Sequence, residues 1–275
     1  MLSRGGRRCA ARGRPSPTQC YRPVVTRVLI LGGTGDARRL ADLATAAGFE
    51  VVSSLAGRTT RPALPGGGEV RIGGFGGVEG LATYLRDERI EVLVDATHPF
   101  ADEISSNAAQ AAASADVPRV QLVRPAWAPM PGDRWLSAPG VEAAAAALPG
   151  LARRVFLTIG RQELAAFGHL DETWFLYRMI EAPEASAMPA YGELILDRGP
   201  FTEASERALM LTHGIEALVT RNSGGAETFA KIEAARALDL RVVMIERPST
   251  PPGEQVDTPE AALAWLMRHA DIITA

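Results

Sequence analysis

From residue 24 onward the chain contains no cysteine; its only two, Cys9 and Cys20, lie in the first 23 residues. A cysteine nucleophile, a thiolate metal site and an internal disulfide are thereby excluded from the rest of the chain. The four histidines, at 98, 169, 213 and 269, have no HxH or HxxxH spacing, so no metal is expected. No uninterrupted apolar run approaches the ~20 residues of a membrane span, and the expectation is a cytoplasmic protein. The first 23 residues lack acidic side chains, carry six arginines and three prolines, and show no apolar periodicity. This leader is expected to be disordered. A transit peptide, a nucleic-acid arm or sequence upstream of the true start would each fit it, and the last is favoured because a strand pattern begins directly at Val24. Without those arginines, 23 basic residues face 32 acidic ones, a formal charge of -9. That balance opposes nonspecific binding to nucleic acid. Any anionic ligand must therefore be held by local arginines and backbone N–H groups.

What remains is ordinary for a globular protein: 275 residues, 47% hydrophobic and 22% charged, enough for one large or two modest domains. From Val24, short β-branched runs alternate with alanine-rich amphipathic stretches. VVTRVLIL precedes a helix over 36–47; EVVSSL, EVRI, a helix over 78–89, EVLVDA, a helix over 101–115 and PRVQLV follow. Strands this uniformly apolar suit burial on both faces, and such alternation makes a parallel sheet with helices on both sides. The proline-rich stretch 124–139 reads as a linker or domain boundary. A second α/β unit follows: RRVFLTIG, a short helix from Gln162, WFLYRMI, ELILDRG, a helix over 202–213, EALVTRN, a helix over 226–238, RVVMIE and a last helix from Pro259. The expectation is thus α/β, with two Rossmann-like parallel-sheet domains over 24–125 and 126–275. An element exchanged between them is left open, as is the oligomeric state, a monomer being sufficient.

The chemistry should lie where strands end in polar turns. GGTGDAR places Gly32, Gly33 and Gly35 where a strand enters a helix, the arrangement that lets a backbone approach a pyrophosphate. Arg38 stands at the third position of the GxGxxG pattern, which is therefore incomplete. Thr34 could donate to a phosphate or cap the helix. About twenty residues on, Ser54, Gly57, Arg58 and Thr59 end the second strand with no acidic residue at that end, which favours NADP over NAD. EVLVDATHPF stops an apolar strand at Asp95, Thr97, His98 and Pro99. Thr97 and His98 could border the nicotinamide or the substrate, or Asp95 and Thr97 could satisfy the turn, with His98 a candidate general acid. In the second half, Thr158 to Arg161 and Arg221-Asn222-Ser223-Gly224 before Lys231 pair helix starts with cations, as an anion site requires.

GGTGDAR, SLAGRT, DATHPFA, TIGR, RGPFT and VTRNSGG, with Lys231 and MIERP downstream, resemble in this order the precorrin-6A reductase (cobalt-precorrin-6A reductase) family of cobalamin biosynthesis. The resemblance runs from about residue 26 to the C-terminus, and DATHPFA and NSGG are its most specific parts. Arg221 stands where the family commonly has lysine, which keeps the charge and alters the geometry of an anion contact. The resemblance implies that NADPH delivers hydride to a C=C bond of a macrocyclic tetrapyrrole, with a proton added at the neighbouring carbon. The macrocycle's acetate and propionate groups would need cations such as Arg161, Arg221 and Lys231. His98, Lys231 or a water are the candidate proton donors, and whether the substrate carries cobalt stays open.

Three rivals are weighed. An enzyme like dihydrodipicolinate reductase would need a histidine pair followed by lysine, and no two histidines are adjacent. A short-chain dehydrogenase would need Tyr-x-x-x-Lys, and none of Tyr21, Tyr84, Tyr177 and Tyr191 has lysine four residues on. A non-catalytic NADP-sensing module would not need the second, anion-lined crevice.

Overall fold

The structure, a computed structural model, describes residues 26–57, 63–183 and 191–273; the arginine-rich leader, Arg58 and Thr59 lie outside the described residues. In chain order the first half comprises β1 (Arg27–Leu31), α1 (Gly35–Ala46), β2 (Glu50–Leu55), β3 (Glu69–Ile72), α2 (Gly77–Asp87), β4 (Val92–Asp95), α3 (Asp102–Ala115) and β5 (Arg119–Leu122). The second half comprises β6 (Arg134–Ala138), α4 (Val141–Ala146), β7 (Arg154–Thr158), a 3-10 helix (Arg161–Phe167), β8 (Trp174–Met179) and β9 (Gly192–Leu196). It continues with α5 (Glu203–Thr212), β10 (Ala217–Arg221), α6 (Ala230–Ala237), β11 (Arg241–Ile245), β12 (Glu254–Val256) and α7 (Pro259–Ile273).

These strands form two six-stranded sheets, ordered β12-β5-β4-β1-β2-β3 and β6-β11-β10-β7-β8-β9, and every recorded pairing is parallel. The expected α/β class with two parallel sheets is therefore the observed one. Burial on both faces explains the continuous apolar runs: Val28 to Ile30, Val92 to Val94 and Ala217 to Val219 are wholly inaccessible. On the first sheet, Leu40, Ala41 and Ala44 of α1 share one core with Trp265 and Leu266 of α7, while Leu81 and Leu85 of α2 meet Ala108 and Ala111 of α3 in the core on the other face. Trp265 is 2% exposed, so its truncation to alanine should cost about 3–5 kcal/mol. On the second sheet, Phe156, Met210 and Ile232 share a core with α5 and α6, and Phe167 and Phe175 anchor the opposite face.

Three expectations need correction. The stretch 124–139 is not wholly a linker, because Arg134–Ala138 is the edge strand of the second sheet, paired with β11 from Arg134↔Arg241 to Ala138↔Ile245. The C-terminal residues do not stay with the second unit. β12 pairs with β5, Val123 N–H donates to the Val256 carbonyl at 2.8 Å, and α7 fills the first sheet's core, so an element is exchanged. The helix expected from residue 226 begins at Ala230, because Gly224 and Gly225 both take positive φ and Trp127 Nε1 binds the Gly225 carbonyl.

Each sheet reverses its strand order once, between β1 and β4 and between β7 and β10. Ligands of parallel sheets bind outside the carboxyl ends of the strands at such points. The chain crosses between the sheets twice, after β5 and after β11, so both crossings start at carboxyl strand ends.

Candidate active site

At the first reversal the backbone is tied by Gly32 N–H donating to the Ser54 carbonyl and Ala96 N–H to the Leu31 carbonyl, both at 2.9 Å. Gly33 has φ +113° with open space where a Cβ would point, a conformation and a clearance that let an anion come close to the backbone. The first-turn N–H groups of α1 lack intrahelical partners and carry the positive end of its dipole. This turn fits a dinucleotide pyrophosphate. Thr34 is settled as the helix cap: its Oγ1 accepts from Ala37 N–H and donates to the Ala96 carbonyl, both at 3.0 Å, so that hydroxyl is not available to a phosphate. Gly35 has a second reason to be glycine, since the Glu227 carboxylate of the second unit lies where a Cβ on residue 35 would be. Arg38 is half-buried on α1, just inside the helix.

Beside this turn, β2 ends at Leu55, one residue after Ser54, and Gly57 follows with φ +72°. Thr97 turns inward. Its Oγ1 donates to Asp95 Oδ1 at 2.7 Å and lies 3.2 Å from Ser105 Oγ, and Asp95 also accepts from Thr97 N–H and Gln121 Nε2. Asp95 is 1% exposed, so these bonds satisfy a buried carboxylate. The Thr97 hydroxyl therefore serves the turn rather than a cofactor.

His98 is half-buried next to Thr97 and receives Phe100 N–H on Nδ1 at 3.2 Å, which assigns the proton of the neutral ring to Nε2. Burial first, and then the positive charges of Arg124, Arg221, Lys231 and Arg247, push its pKa down to about 3. At neutral pH it holds no second proton, so it is a hydrogen-bond donor and not a stored acid. The four cations named are the chemical signature of the place: in a protein with a net negative core they gather around one uncharged ring.

Those cations come from both units. Arg124, just after β5, binds Asp36 of α1 at 3.1 Å and the Ser223 carbonyl at 2.8 Å. Arg247, just after β11, binds the carbonyls of Asn222, Arg124 and Pro125 at 2.7, 2.8 and 3.2 Å. Arg221 pairs with Glu163, packs on Gly160 and lies 5.1 Å from the Phe100 ring. Arg161 lies 3.6 Å from Glu181. Lys231, the only lysine in the chain, is 6% exposed on α6, with its Nζ 5.6 Å from the Trp127 ring. Its burial, with Arg178 nearby and Glu206 partly compensating, lowers its pKa to about 7.

The RNSGG turn differs from the expected substrate cradle. The Asn222 side chain accepts Trp127 N–H at 2.8 Å and donates to the Trp127 carbonyl at 3.0 Å, so both ends of its amide are used. Gly224 has φ +66°, and a Cβ there would collide with the Pro125 carbonyl. Asn222 and Gly224 thus join the two units; Ser223 is buried in the same joint. A cavity of 580 Å³ is lined by Pro149 to Arg153 and His169 to Thr173, which precede β7 and β8 and so sit at the edge away from the reversals.

A family model described as precorrin-6x reductase CbiJ/CobK matches residues 27–267. The chain belongs to that family. It is 54% identical to the precorrin-6A reductase of Rhodococcus erythropolis over 88% of its own length and 98% of that protein. It is 30% identical to the cobalt-precorrin-6A reductase of Priestia megaterium, again over 88% and 98% of the two chains. A solved structure of CobK precorrin-6A reductase superposes with a TM-score of 0.85 at 42% identity, covering 89% of this chain and 97% of that one. Membership in the family removes the dihydrodipicolinate-reductase-like, short-chain-dehydrogenase and sensor alternatives. Among the described residues no helix is long and apolar enough to cross a membrane, and no cluster of three metal-ligating side chains occurs.

The sequence points to the strand ends at the two reversals but did not single out Asp36, Arg124, Glu227 or Arg247. Arg124 could have been found, since it follows PRVQLV at the carboxyl end of a strand, where ligands of parallel sheets sit. Arg247 has the same signal after RVVMIE. Asp36 and Glu227 carry none, because their positions depend on how the two units face one another.

Proposed function

We propose that this chain uses NADPH to reduce a C=C bond of the cobalt-free precorrin-6A macrocycle, giving dihydro-precorrin-6 (precorrin-6B) in cytoplasmic corrin synthesis. The observation that carries this reading is the meeting of four cations at the RNSGG turn: Arg124 binds the Ser223 carbonyl, Arg247 binds the carbonyls of Asn222 and Arg124, Arg221 precedes Asn222, and Lys231 Nζ lies 5.6 Å from the ring of Trp127, whose N–H the Asn222 side chain accepts. A substrate with many carboxylates needs such a place in a protein whose overall charge repels it. The cobalt-free substrate is favoured by the names of the relatives, which are precorrin-6A reductases at 42–54% identity and cobalt-precorrin-6A reductases at 24–30%.

Gly32, Gly33 and Gly35 with the α1 N-terminus would hold the pyrophosphate, and the end of β2, with Ser54, Gly57, Arg58 and Thr59, the adenosine side. Bound there, NADPH supplies the hydride. Catalysis by the chain is then positioning, with fixed positive charge near the macrocycle to stabilise charge that develops during transfer. Neutral His98 offers its Nε2–H as a hydrogen bond. Lys231 is the better proton donor, because a group with a pKa of about 7 is part-protonated at neutral pH and gives the proton up readily. Arg161 and Arg221 remain the substrate-side contacts on the second unit.

The test is anaerobic incubation of the purified protein with precorrin-6A and NADPH, following nicotinamide absorbance and the tetrapyrrole spectrum. Stoichiometric oxidation with a two-electron-reduced macrocycle is expected. Binding of NADPH without its consumption would overturn the reading, and turnover only with the cobalt-containing substrate would correct its substrate.

A further inference from the structure

The 2'-phosphate of the dinucleotide must be recognised beside the end of β2, and the sequence there points to Arg58. A second arginine reaches the same edge from the neighbouring strand. β2 and β3 are parallel and in register, with Ser54 opposite Arg71 and Leu55 opposite Ile72. Arg71 therefore stands one residue before the end of β3, beside the residue one before the end of β2, and its Nη1 lies 3.4 Å from Ser54 Oγ.

Its surroundings fix the guanidinium without neutralising it. Nη1 donates to the Gly73 carbonyl at 2.5 Å and Nη2 to the Gly74 carbonyl at 2.7 Å. The guanidinium carbon stacks 3.8 Å from the centre of the Phe75 ring, with Tyr84 at 5.2 Å. Carbonyls and aromatic faces orient an arginine but leave its charge in place. The acidic residue on its own strand, Glu69, sits at the far end, where Arg27 binds it at 3.1 Å. Arginine carries five N–H donors, and these contacts use three, which leaves Nε–H and one Nη2–H as a fork for an oxyanion. Ser54 accepts from Arg71 and keeps its own hydroxyl proton to donate. Among the described residues no carboxylate pairs with Arg71, so the end of the sheet holds a fixed cation and a hydroxyl side by side.

We propose that Arg71, supported by Ser54, is the residue that reads the 2'-phosphate and sets the preference for NADPH over NADH. The inference rests on the NADPH reading above and adds a residue to it. An arginine whose rotamer is already fixed loses little freedom on binding, so Arg71 should carry much of the discrimination.

The probes are 2',5'-ADP and 5'-AMP, which differ only in the 2'-phosphate, titrated calorimetrically into the full chain, together with kcat/KM for NADPH and NADH. In Arg71→Ala the affinity for 2',5'-ADP should fall by about 10- to 100-fold, as expected for lost charge-assisted hydrogen bonds, while 5'-AMP changes less than about threefold. Arg71→Lys should recover part of the difference, because it keeps charge and loses the fork, and Ser54→Ala should give a smaller loss of the same kind. Should Arg71→Ala fail to fold, these last two variants still decide the matter. Equal losses for both probes would assign Arg71 to the turn alone and overturn the proposal. So would Arg58→Ala abolishing a preference that Arg71→Ala leaves intact. If the wild-type protein binds 2',5'-ADP no better than 5'-AMP, the NADPH reading itself fails and the proposal with it.

Discussion

Replacing Lys231 with methionine should stabilise the protein, and by an amount that depends on pH. The lysine is 6% exposed, and burial, the nearby Arg178 and partial compensation by Glu206 leave its folded pKa at about 7 against 10.5 for a free lysine. At about 1.4 kcal/mol per unit, that difference amounts to roughly 5 kcal/mol between the two protonation states. Between pH 7 and 10.5 the unfolded chain binds the proton that the folded chain has released. Stability therefore rises with pH across that window, and below pH 7 the full cost of the buried charge is present. Methionine fills similar volume with no charge. The stability gained by Lys231→Met should thus be about 5 kcal/mol at pH 6, about 3 kcal/mol at pH 8 and under about 1 kcal/mol at pH 10. Urea unfolding of both proteins at the three pH values measures it, and taking the difference cancels the other titrating groups. Because no other lysine exists, protein labelled with nitrogen-15 lysine gives a single Nζ signal whose midpoint reports the pKa directly. A pH-independent difference, or an Nζ midpoint above pH 9, would refute the reasoning. The same variant should remove the pH-dependence near 7 from kcat/KM if Lys231 supplies the proton.

Glu227→Gln takes a negative charge away from Gly35 and the α1 N-terminus. The dissociation constant for NADPH should fall by about two- to fivefold, the size of a charge effect at a helix end, and unchanged or weaker binding in a titration would contradict that. His98, held near pKa 3, should show ring carbon shifts in NMR that do not move between pH 5 and 8. Its low folded value also means that its share of stability rises between pH 3 and 6.5, and His98→Asn should flatten that part of the acid-unfolding curve. Gly224→Ala meets both a φ of +66° and the Pro125 carbonyl, so a loss of about 2–4 kcal/mol in thermal or urea unfolding is expected; wild-type stability would show that the joint gives way.

Strands buried on both faces were legible because a parallel sheet leaves a continuous apolar run in the sequence. β6 was not, because Arg134, Leu136 and Ser137 of this edge strand are exposed, and prolines flank the stretch that contains it. β12 has three residues, too few for periodicity, and its return to the first sheet is decided by packing around Trp265 far along the chain. The site divided in the same way. A turn at a strand end announces itself by glycine and hydroxyl residues, so Gly33, Thr34, Thr97 and Asn222 could be singled out as turn residues. Whether each hydroxyl or amide faces a ligand or its own backbone depends on partners such as the Ala96 carbonyl, Asp95 and Trp127, which no local pattern encodes. Arg71 was overlooked for a related reason, since only the register with β2 brings it beside Ser54.

The residues spent on joining the two units explain why so much of the RNSGG turn is unavailable to substrate. Hydride transfer between two bound molecules depends on holding donor and acceptor within a narrow range of distance and angle. On the proposed reading the donor's crevice belongs to the first sheet and a large part of the acceptor's to the second, which would make the angle between the sheets part of the active site. Arg124 bridges them by binding Asp36 at the start of α1 and the Ser223 carbonyl in the turn, while Arg247 fastens the turn to the first crossing segment through three carbonyls. Both arginines also contribute to the positive potential that keeps His98 neutral. One pair of side chains therefore helps to join the two units and adds to the positive charge beside the joint. Any movement that opened the joint would weaken the anion site at the same moment, so a loosely closed protein would hold its substrate poorly as well as misalign it.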